Sequence, residues 1–425
     1  MYQEIKDIWQ EMVCCNSINN PIAGLIFLHA LLGAYFRHKI INWGVTNKDV
    51  RIHPSWFQQS RTGKDQLSKV LSITAKKLGL KVCTYTDFTG DAPLIGSWDS
   101  EAHKYNIAHG LSKEEPIKET SKNTYTYRDP VIKGDLANYD IIIFCESKLL
   151  FQTSSDKILT TLQPALDYPG RVFKKMRQKE AIEYPTKCTL VMTSIPFDQM
   201  RDSLIDQGFF QRTSLLIRRL SIDDIKSMRN QARKLRDPKI KKKFETLLTK
   251  IVTKLEKFDT NESMIYVTQE ASDALDTIQN RFIEMTRESI KGKEVENCLS
   301  FSQSAEENLL KMAAHIALLA NRNKILAKDI HEAYYPAYNI IQTIFNEIEV
   351  NDNSKENKLS KKIFLNFAQE ILSNTPVPKT TFRNMLMQKF NIGAPKATRY
   401  IEDLINQNYI QCVKGEKNTI LLKFK

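Results

Sequence analysis

Five short runs of β-branched and aromatic residues, separated by longer polar and helical segments, constrain the fold of this 425-residue chain most strongly. The runs are IHPSWFQ (52–58), LKVCTYT (80–86), YDIIIFCES (139–147), CTLVMTS (188–194) and TSLLIRRLS (213–221). Strands that alternate with helices are joined by crossover connections, so they pair in parallel and both sheet faces become covered. The sequence therefore predicts an α/β fold around a central parallel sheet.

The segments around these runs predict further parts of the molecule. Helical periodicity over 1–45 predicts a short N-terminal helical segment, and 46–222 form the α/β core. Apolar residues at helical spacing over 223–348 predict an all-helical lid. The polar segment 349–358 reads as a linker, because it has few apolar residues. In 359–425, three helical patterns precede two apolar runs joined by KGEKN, which is the order of a winged helix.

Composition favours an anionic partner in a reducing compartment. Lysine and arginine number 62 against 49 aspartates and glutamates, a net charge of +13, and nucleic acid fits that balance best. The seven cysteines lack CxxC spacing, which indicates reduced thiols and a cytoplasmic location. The apolar run over 21–36 is too short to span a bilayer and lacks a basic leader, so no membrane role is expected.

The sequence SRTGKD follows the first run and precedes a helical segment. Phosphate loops occupy this place, since backbone N–H groups and the helix dipole attract phosphate there while a lysine contacts its outer oxygens. A surface turn is the alternative for so short a motif. The residues expected to hold a nucleotide are Ser60, Thr62, Gly63, Lys64 and Asp65.

Polar residues at the ends of later runs supply what nucleotide hydrolysis needs. Glu146 ends the third run, where a carboxylate can orient a water molecule, and Thr193 and Ser194 end the fourth, where they can position it. Arg212 precedes the fifth run and could reach the nucleotide of a neighbouring subunit. Each residue alone is also compatible with a structural role, but their combined order favours an ATPase.

This order of motifs resembles AAA+ ATPases, and more closely the minichromosome maintenance (MCM) helicases with their phage- and plasmid-borne relatives. FTGDAPLIGSWD (88–99) resembles the insert after the second strand of that family, and 170–185 occupies the place of its hairpin. GFFQR (208–212) is similar to the segment that ends in its arginine finger, and 305–334 is similar to its helical lid. The resemblance covers roughly residues 50–345. It implies ATP and Mg²⁺ as cofactors, a homo-oligomeric ring, expected to be a hexamer, and Lys311 near the sensor 2 position.

The resemblance also implies where DNA would bind. The hairpin of the family lines a central channel, which would place basic residues of 170–185 on DNA; those residues are Lys174, Lys175, Arg177 and Lys179. In the winged domain, Lys396 and Arg399 lie on the outer half of the third helix and could meet a groove. The segment 226–257 is strongly basic too, with 12 lysines and arginines against three acidic residues. Solvated surface is the alternative for each of these segments.

The chain departs from the family pattern at its nucleotide site. Gln58 stands where the loop has its first glycine, Asp65 where it has a hydroxyl, and Lys311 where the lid has an arginine. Cys145 replaces the aspartate that precedes the glutamate. Since Mg²⁺ prefers oxygen ligands, we hypothesise that Asp65 is the metal ligand and supplies the charge lost at Cys145.

The expected function is an MCM-like, ATP-dependent DNA helicase or translocase that serves replication of a virus or mobile element. The departures at the nucleotide site keep two alternatives open. One is a DNA-binding AAA+ initiator or nucleotide-gated switch that does not translocate. The other is a structural DNA-packaging or recruiting protein with an inactive site.

Overall fold

The computed structural model of the chain divides into two compact units, residues 1–348 and 349–425, and each unit has its own hydrophobic core. The predicted linker begins at this boundary. The described residues are 1–16, 20–59, 62–86, 92–120, 123–147, 150, 155–175, 181–196, 208–218, 220–221, 223–224, 226, 228, 230, 237–289, 294–352, 365, 367–372, 376–390, 394–406, 409–414 and 420–424.

Helices and strands alternate through the first unit. Its first half contains α1 (Tyr2–Cys14), α2 (Pro21–Tyr35), β1 (Lys39–Trp43), β2 (Thr46–Asp49), β3 (Pro54–Gln58), α3 (Lys64–Lys77), β4 (Val82–Tyr85), α4 (Ala92–Ile95), β5 (Gly96–Trp98), α5 (Ser100–His109), β6 (Ile117–Glu119), β7 (Thr124–Thr126), β8 (Val131–Lys133), α6 (Asp135–Asn138) and β9 (Ile141–Phe144). Its second half contains α7 (Ser155–Leu166), β10 (Arg171–Lys174), β11 (Ile182–Pro185), β12 (Thr189–Ser194), β13 (Ser214–Arg218), α8 (Pro238–Leu255), β14 (Ser263–Val267), α9 (Gln269–Ser289), α10 (Glu294–Leu319), β15 (Lys324–Ile325) and α11 (Ala327–Asp352).

A five-stranded sheet lies at the centre of the first unit, with the strand order β13-β3-β12-β9-β4. Every neighbouring pair is parallel. Its strands fall within the five runs that the sequence singled out, so the predicted α/β fold with a parallel sheet is confirmed. β3, β9 and β12 are buried along their whole length, which explains their continuous apolar character. The carboxyl ends of these three strands meet at one edge of the sheet.

Helix α2 fills the space between the sheet and the surrounding helices. It begins at Pro21, and the Asn20 side chain caps it by accepting a hydrogen bond from the Ala23 N–H at 3.0 Å. It contacts α1, α3, α10, β3 and β12, so almost every side is buried. Gly33 is needed there, because a Cβ would lie 2.8 Å from the Val50 carbonyl oxygen. A helix that is apolar on all sides is therefore a core element here.

A second sheet differs from what the sequence predicted. Its order is β15-β14-β1-β2, and it joins strands near the N-terminus to strands in the segment expected to be an all-helical lid. β1 pairs in parallel with β14, with Lys39 opposite Ser263. The expectation of helices alone in 1–45 and 223–348 was wrong in this respect. The strands are short and their partners lie over 200 residues apart, so no local pattern announces them.

Between β4 and β9 the chain forms an insertion that includes two antiparallel pairs, β5 with β8 and β6 with β7. Gly96 has φ +113°, and a Cβ there would lie 2.3 Å from the Ile132 carbonyl oxygen, so this crossing requires glycine. The predicted insert motif (88–99) overlaps this region from residue 92 onward. Further along, β10 and β11 form an antiparallel pair whose connecting residues 176–180 lie outside the described chain.

The second unit contains β16 (Val377–Pro378), α12 (Lys379–Phe390), α13 (Ala394–Asn406), β17 (Ile410–Lys414) and β18 (Ile420–Phe424). Residues 367–372 are also helical. The strands form an antiparallel sheet in the order β16-β18-β17. Its small core is built from Phe382, Leu386, Ile401 and Leu422, which come from both helices and the sheet. The predicted apolar runs YIQCV and TILLKF coincide with β17 and β18.

Candidate nucleotide site

The loop that joins β3 to α3 has the local geometry of an anion site. The strand ends at Gln58 and the helix begins at Lys64, with no side-chain hydrogen bond capping it. Gly63 has φ +96°, a left-handed conformation that favours glycine. An uncapped helix N-terminus presents backbone N–H groups and the positive end of the helix dipole to the loop. Ser60, which the sequence assigned to this site, lies outside the described residues.

Lys64 is folded back onto this loop. Its Nζ donates to the backbone carbonyls of Gln58 at 2.5 Å and Gln59 at 2.7 Å, and only 5% of the residue is exposed. Burial lowers the pKa of Lys64, whereas Asp65 and Glu146 act in the opposite direction. The lysine therefore holds the place of a bound anion with carbonyl oxygens of its own loop.

Gln58 braces the loop from inside, in the position where the resembled family has a glycine. Its Nε2 donates to the Thr62 carbonyl at 3.2 Å, and its Oε1 accepts from Trp56 Nε1 at 3.3 Å. The Thr62 hydroxyl in turn donates to the Gln59 carbonyl. These bonds link both ends of the loop, so the departure from glycine has a structural consequence that the sequence alone did not indicate.

Two carboxylates predicted to act on the metal and on water line one pocket of about 420 Å³. Asp65 comes from the first turn of α3, and Glu146 and Cys145 follow β9. Burial raises the pKa of the Cys145 thiol, and the negative charges of Asp65 and Glu146 raise it further. Ser68, one turn after Asp65, lines the same pocket, and its buried hydroxyl has no hydrogen-bond partner among the described residues.

Residues at the end of β12 lie beside Glu146, because β12 is inserted between β3 and β9 in the sheet. The Ser194 hydroxyl donates to Glu146 Oε2 at 3.4 Å. The Thr193 hydroxyl instead donates to the carbonyls of Phe144 and Cys145, at 3.3 and 3.4 Å, and is fully buried. Ser194 is therefore the better placed of the two to act on a water molecule near Glu146.

Arg212 lies in a single turn of 3₁₀ helix (Phe210–Arg212) and forms an ion pair that the sequence did not predict. Its Nε donates to both carboxylate oxygens of Asp167, at 2.8 and 2.9 Å, and its Nη1 donates to the Gly208 carbonyl. Buried Arg51 fixes the backbone of this segment by donating to the carbonyls of Ala165 and Asp167. Nothing in the sequence around Asp167 signals this pairing.

Lys311 is grouped with Arg212 and not with Lys64. Both residues line a cavity that also contains Asp167 and Glu307, and Arg212 continues into a larger polar pocket of about 480 Å³. The buried Lys311 Nζ lies 2.9 Å from Glu307 and 3.3 Å from Asp49. Burial alone would lower the pKa of Lys311, but these two carboxylates raise it, and Lys311 holds the pKa of Glu307 at about 2.

The residues predicted to bind DNA are described only in part. Lys174 ends β10, and Lys175 follows it with an exposed side chain. Arg177 and Lys179 lie outside the described residues. Lys396 and Arg399 belong to α13, but their side chains are not described.

Three broader comparisons complete the description of the site. Among the described residues, no group of three or more His, Cys, Asp or Glu side chains is arranged to hold a metal ion. No helix in the described part of the chain has the length and apolar character needed to cross a membrane. Models of known protein families gave no match to the chain, and neither did curated protein sequences.

Proposed function

We propose that the chain is an AAA+ ATPase of the MCM-like type, which acts on DNA as a homo-oligomeric ring in the replication of a virus or mobile element. The observation that carries this proposal is the convergence of Lys64, Glu146 and Ser194 at one sheet edge. They follow the adjacent strands β3, β9 and β12, and ligands of open α/β sheets bind at the carboxyl ends of the strands.

The residues at this edge are suited to a nucleotide and its metal. The uncapped N-terminus of α3 can receive phosphate oxygens, and Lys64 can exchange two carbonyl bonds for them. Asp65 offers a carboxylate from the loop, which fits Mg²⁺ because this ion takes one or two carboxylates together with phosphate oxygens. ATP would supply the γ-phosphoryl group for transfer to water, and Mg²⁺ would balance the charge on its oxygens.

Each protein residue then has a separate role. Lys64 binds the outer phosphates, Glu146 accepts a proton from the water that it orients, and Ser194 keeps that carboxylate in place through its hydrogen bond. Arg212 and Lys311 line their own cavity, apart from the pocket of Asp65 and Glu146. That separation supports a role for Arg212 at the nucleotide of a neighbouring subunit, as in a hexameric ring.

Hydrolysis tests this proposal directly. Lys64→Ala is expected to abolish ATP binding, whereas Glu146→Gln is expected to bind ATP and lose turnover, because the isosteric amide cannot accept a proton. Glu270→Gln, an exposed change on α9, is the matched control and should hydrolyse ATP like the parent. ATP turnover with and without DNA measures all four proteins. Hydrolysis at the parental rate by Lys64→Ala would contradict the proposal.

A second candidate is a DNA-binding initiator or switch that binds nucleotide without turnover. The observation that favours it is the closed loop, in which Gln58 and Lys64 both bond to loop carbonyls. Opening this loop costs hydrogen bonds, which suits a slow, gated response better than rapid cycling. ATP binding by the parent without detectable turnover, with or without DNA, would select this candidate. Either candidate would act in the cytoplasm.

A further inference from the structure

Helix α8 has one apolar face, and that face is already covered. Asp237 caps the helix by accepting from the Lys239 N–H at 2.9 Å, and Pro238 starts it. Leu247, Leu248 and Ile251 are buried, and α8 packs against α1 and α3. The opposite face of α8 is therefore left to solvent.

The lysines of α8 are sorted by the side on which they lie. Those that border α1 have acidic partners: Lys243 lies 2.5 Å from Glu11, and Lys254 lies 2.6 Å from Glu4. A second set faces solvent, and its members are Lys239, Lys242 and Lys250. No acidic side chain within the described ranges forms an ion pair with any of these three. The protein thus neutralises one row of lysines and leaves the other charged.

The unpaired lysines form a straight row. Positions 239, 242, 246, 250 and 253 follow helical spacing of three and four residues, so they share one face. Thr246 and Thr253 fill the positions between the lysines, and both are exposed. We call Lys239, Lys242 and Lys250 the lysine row. It covers about 16 Å, because each helical residue rises about 1.5 Å.

We propose that the lysine row binds the phosphate backbone of nucleic acid, as a contact surface separate from the β10–β11 segment. A DNA strand carries one phosphate per about 3.4 Å of duplex axis, so the row matches about five phosphates. The row contains lysine and no arginine, and lysine acts as a point charge without bidentate geometry. The contact is therefore independent of base sequence and sensitive to salt.

Two other anionic surfaces fit the row less well. A helix that lies on a membrane inserts an apolar face next to its basic one, and the apolar face of α8 is buried against α1 and α3. A protein partner is usually held by buried aromatic or arginine anchors, and the exposed face of α8 carries only lysine and threonine at the row positions. A regular row of equal charges matches a regular polyanion.

The test compares two variants that each lose three positive charges. Lys239→Gln/Lys242→Gln/Lys250→Gln removes the row, and Lys81→Gln/Lys324→Gln/Lys328→Gln removes exposed lysines elsewhere on the same unit. Glutamine forms helices about as well as lysine, so α8 should persist, and circular dichroism checks this. Binding of a short DNA duplex, and of one of its strands alone, is measured without nucleotide between about 50 and 200 mM salt.

Removal of the row should lower the salt dependence of log K by about 2 to 3, since each lost phosphate contact contributes about 0.9. The control variant should keep the parental salt dependence. Equal effects of both variants would overturn the proposal, because they would reflect net charge alone. Loss of binding to phosphatidylserine vesicles with unchanged DNA binding would overturn it as well. No arm requires ATP hydrolysis, so failure of the proposed enzymatic function leaves this result readable.

Discussion

At the scale of single residues, Asp65 and Cys145 behave as one exchange. They line the same pocket, and the charge of Asp65 contributes to the raised pKa of the Cys145 thiol. A neutral thiol is a poor ligand for Mg²⁺, so the carboxylate that the pocket needs comes from the loop. This explains how a phosphate loop without its hydroxyl can still hold a metal.

Asp65→Ser should abolish Mg²⁺-dependent hydrolysis, because it removes the loop carboxylate and leaves only the thiol at position 145. The double change Asp65→Ser/Cys145→Asp should restore a substantial part, since it returns the carboxylate from the strand. Steady-state turnover at varied Mg²⁺ measures both. Cys83→Asp combined with Asp65→Ser is the control and should not rescue. Full activity in the single variant would refute the exchange.

Arg212 provides a second prediction, because its cavity lies apart from the pocket of Glu146. Arg212→Ala should lower ATP turnover by about a thousandfold or more, since arginines supplied by a neighbour contribute about 10³ to 10⁵ in rate. Arg287→Ala, an exposed change on α9, should have no effect. Turnover is measured after confirming that each variant binds ATP.

Mixing Arg212→Ala with Lys64→Ala should recover part of this activity, because mixed rings contain some interfaces with both intact residues. Co-assembly is verified by differential labelling and size. Co-assembled mixtures without any recovery would show that Arg212 acts within its own subunit.

At the scale of elements, α2 and α10 are joined by a buried chain of hydrogen bonds. Tyr2 OH contacts His29 Nε2, His29 Nδ1 contacts His315 Nδ1, and His315 Nε2 contacts the Val50 carbonyl, each at about 3.0 Å. Since a carbonyl only accepts, His315 carries its proton on Nε2, and His29 must donate from Nδ1. Tyr2 then donates to His29, so a single arrangement of protons satisfies every group while both histidines are neutral.

This chain predicts acid sensitivity. Burial lowers the pKa of His315 to about 3, and burial also lowers the pKa of His29 well below its ordinary value of 6.5. Below pH 6.5 the unfolded chain binds protons that the folded chain refuses, so stability falls as pH falls from 6.5 towards 3. Each histidine contributes a slope of about 1.4 kcal/mol per pH unit in that range.

Urea unfolding between pH 7 and pH 4 measures this slope. His315→Gln should be less stable at pH 7, because it breaks the chain, but its stability should depend less steeply on pH. His331→Gln, an exposed change on α11, is the control and should keep the parental slope. An unchanged slope in His315→Gln would argue against the chain as the acid-sensitive element.

The hairpin segment carries the element-scale prediction for DNA. Lys175 is exposed after β10, and the sequence places Arg177 two residues further on. Charge reversal at both should abolish DNA binding or DNA stimulation of ATPase, because their phosphate contacts become repulsive. Basal turnover should stay near the parental value, since neither residue belongs to the nucleotide pocket. Unchanged DNA affinity at physiological salt would exclude the channel assignment.

Elements differ in how far the sequence predicts them. The five central strands were predictable, because each is a buried run of β-branched or aromatic residues with its own local signal. β1 and β14 were not, because one exposed face and a distant partner leave no such signal. At the site, Lys64, Glu146 and Ser194 were found from their places at strand ends. The Gln58 brace and the Asp167–Arg212 pair depend on tertiary contacts, so no spacing rule could indicate them.

At the scale of the whole molecule, the two units have separate cores, so 1–348 should fold without 349–425. Ring formation is then a property that can be assigned to a unit. With ATP, the full chain should sediment near about 295 kDa, six times 49.1 kDa, and 1–348 should also assemble if the interface lies in the first unit. Sedimentation with and without nucleotide measures this. A full chain that stays at 49.1 kDa with ATP and DNA would contradict the ring.

The pairing of β1 with β14 sets an order of events during synthesis. β1 has no partner on one side until residue 267 has left the ribosome, and by then α2 has already waited for more than two hundred residues. At 5–20 residues per second this delay is on the order of tens of seconds. Throughout it, a helix that is apolar on every side has only part of its final cover. Nascent chains that end before β14 should therefore be protease-sensitive and depend on chaperones, whereas chains that extend beyond β15 should become resistant.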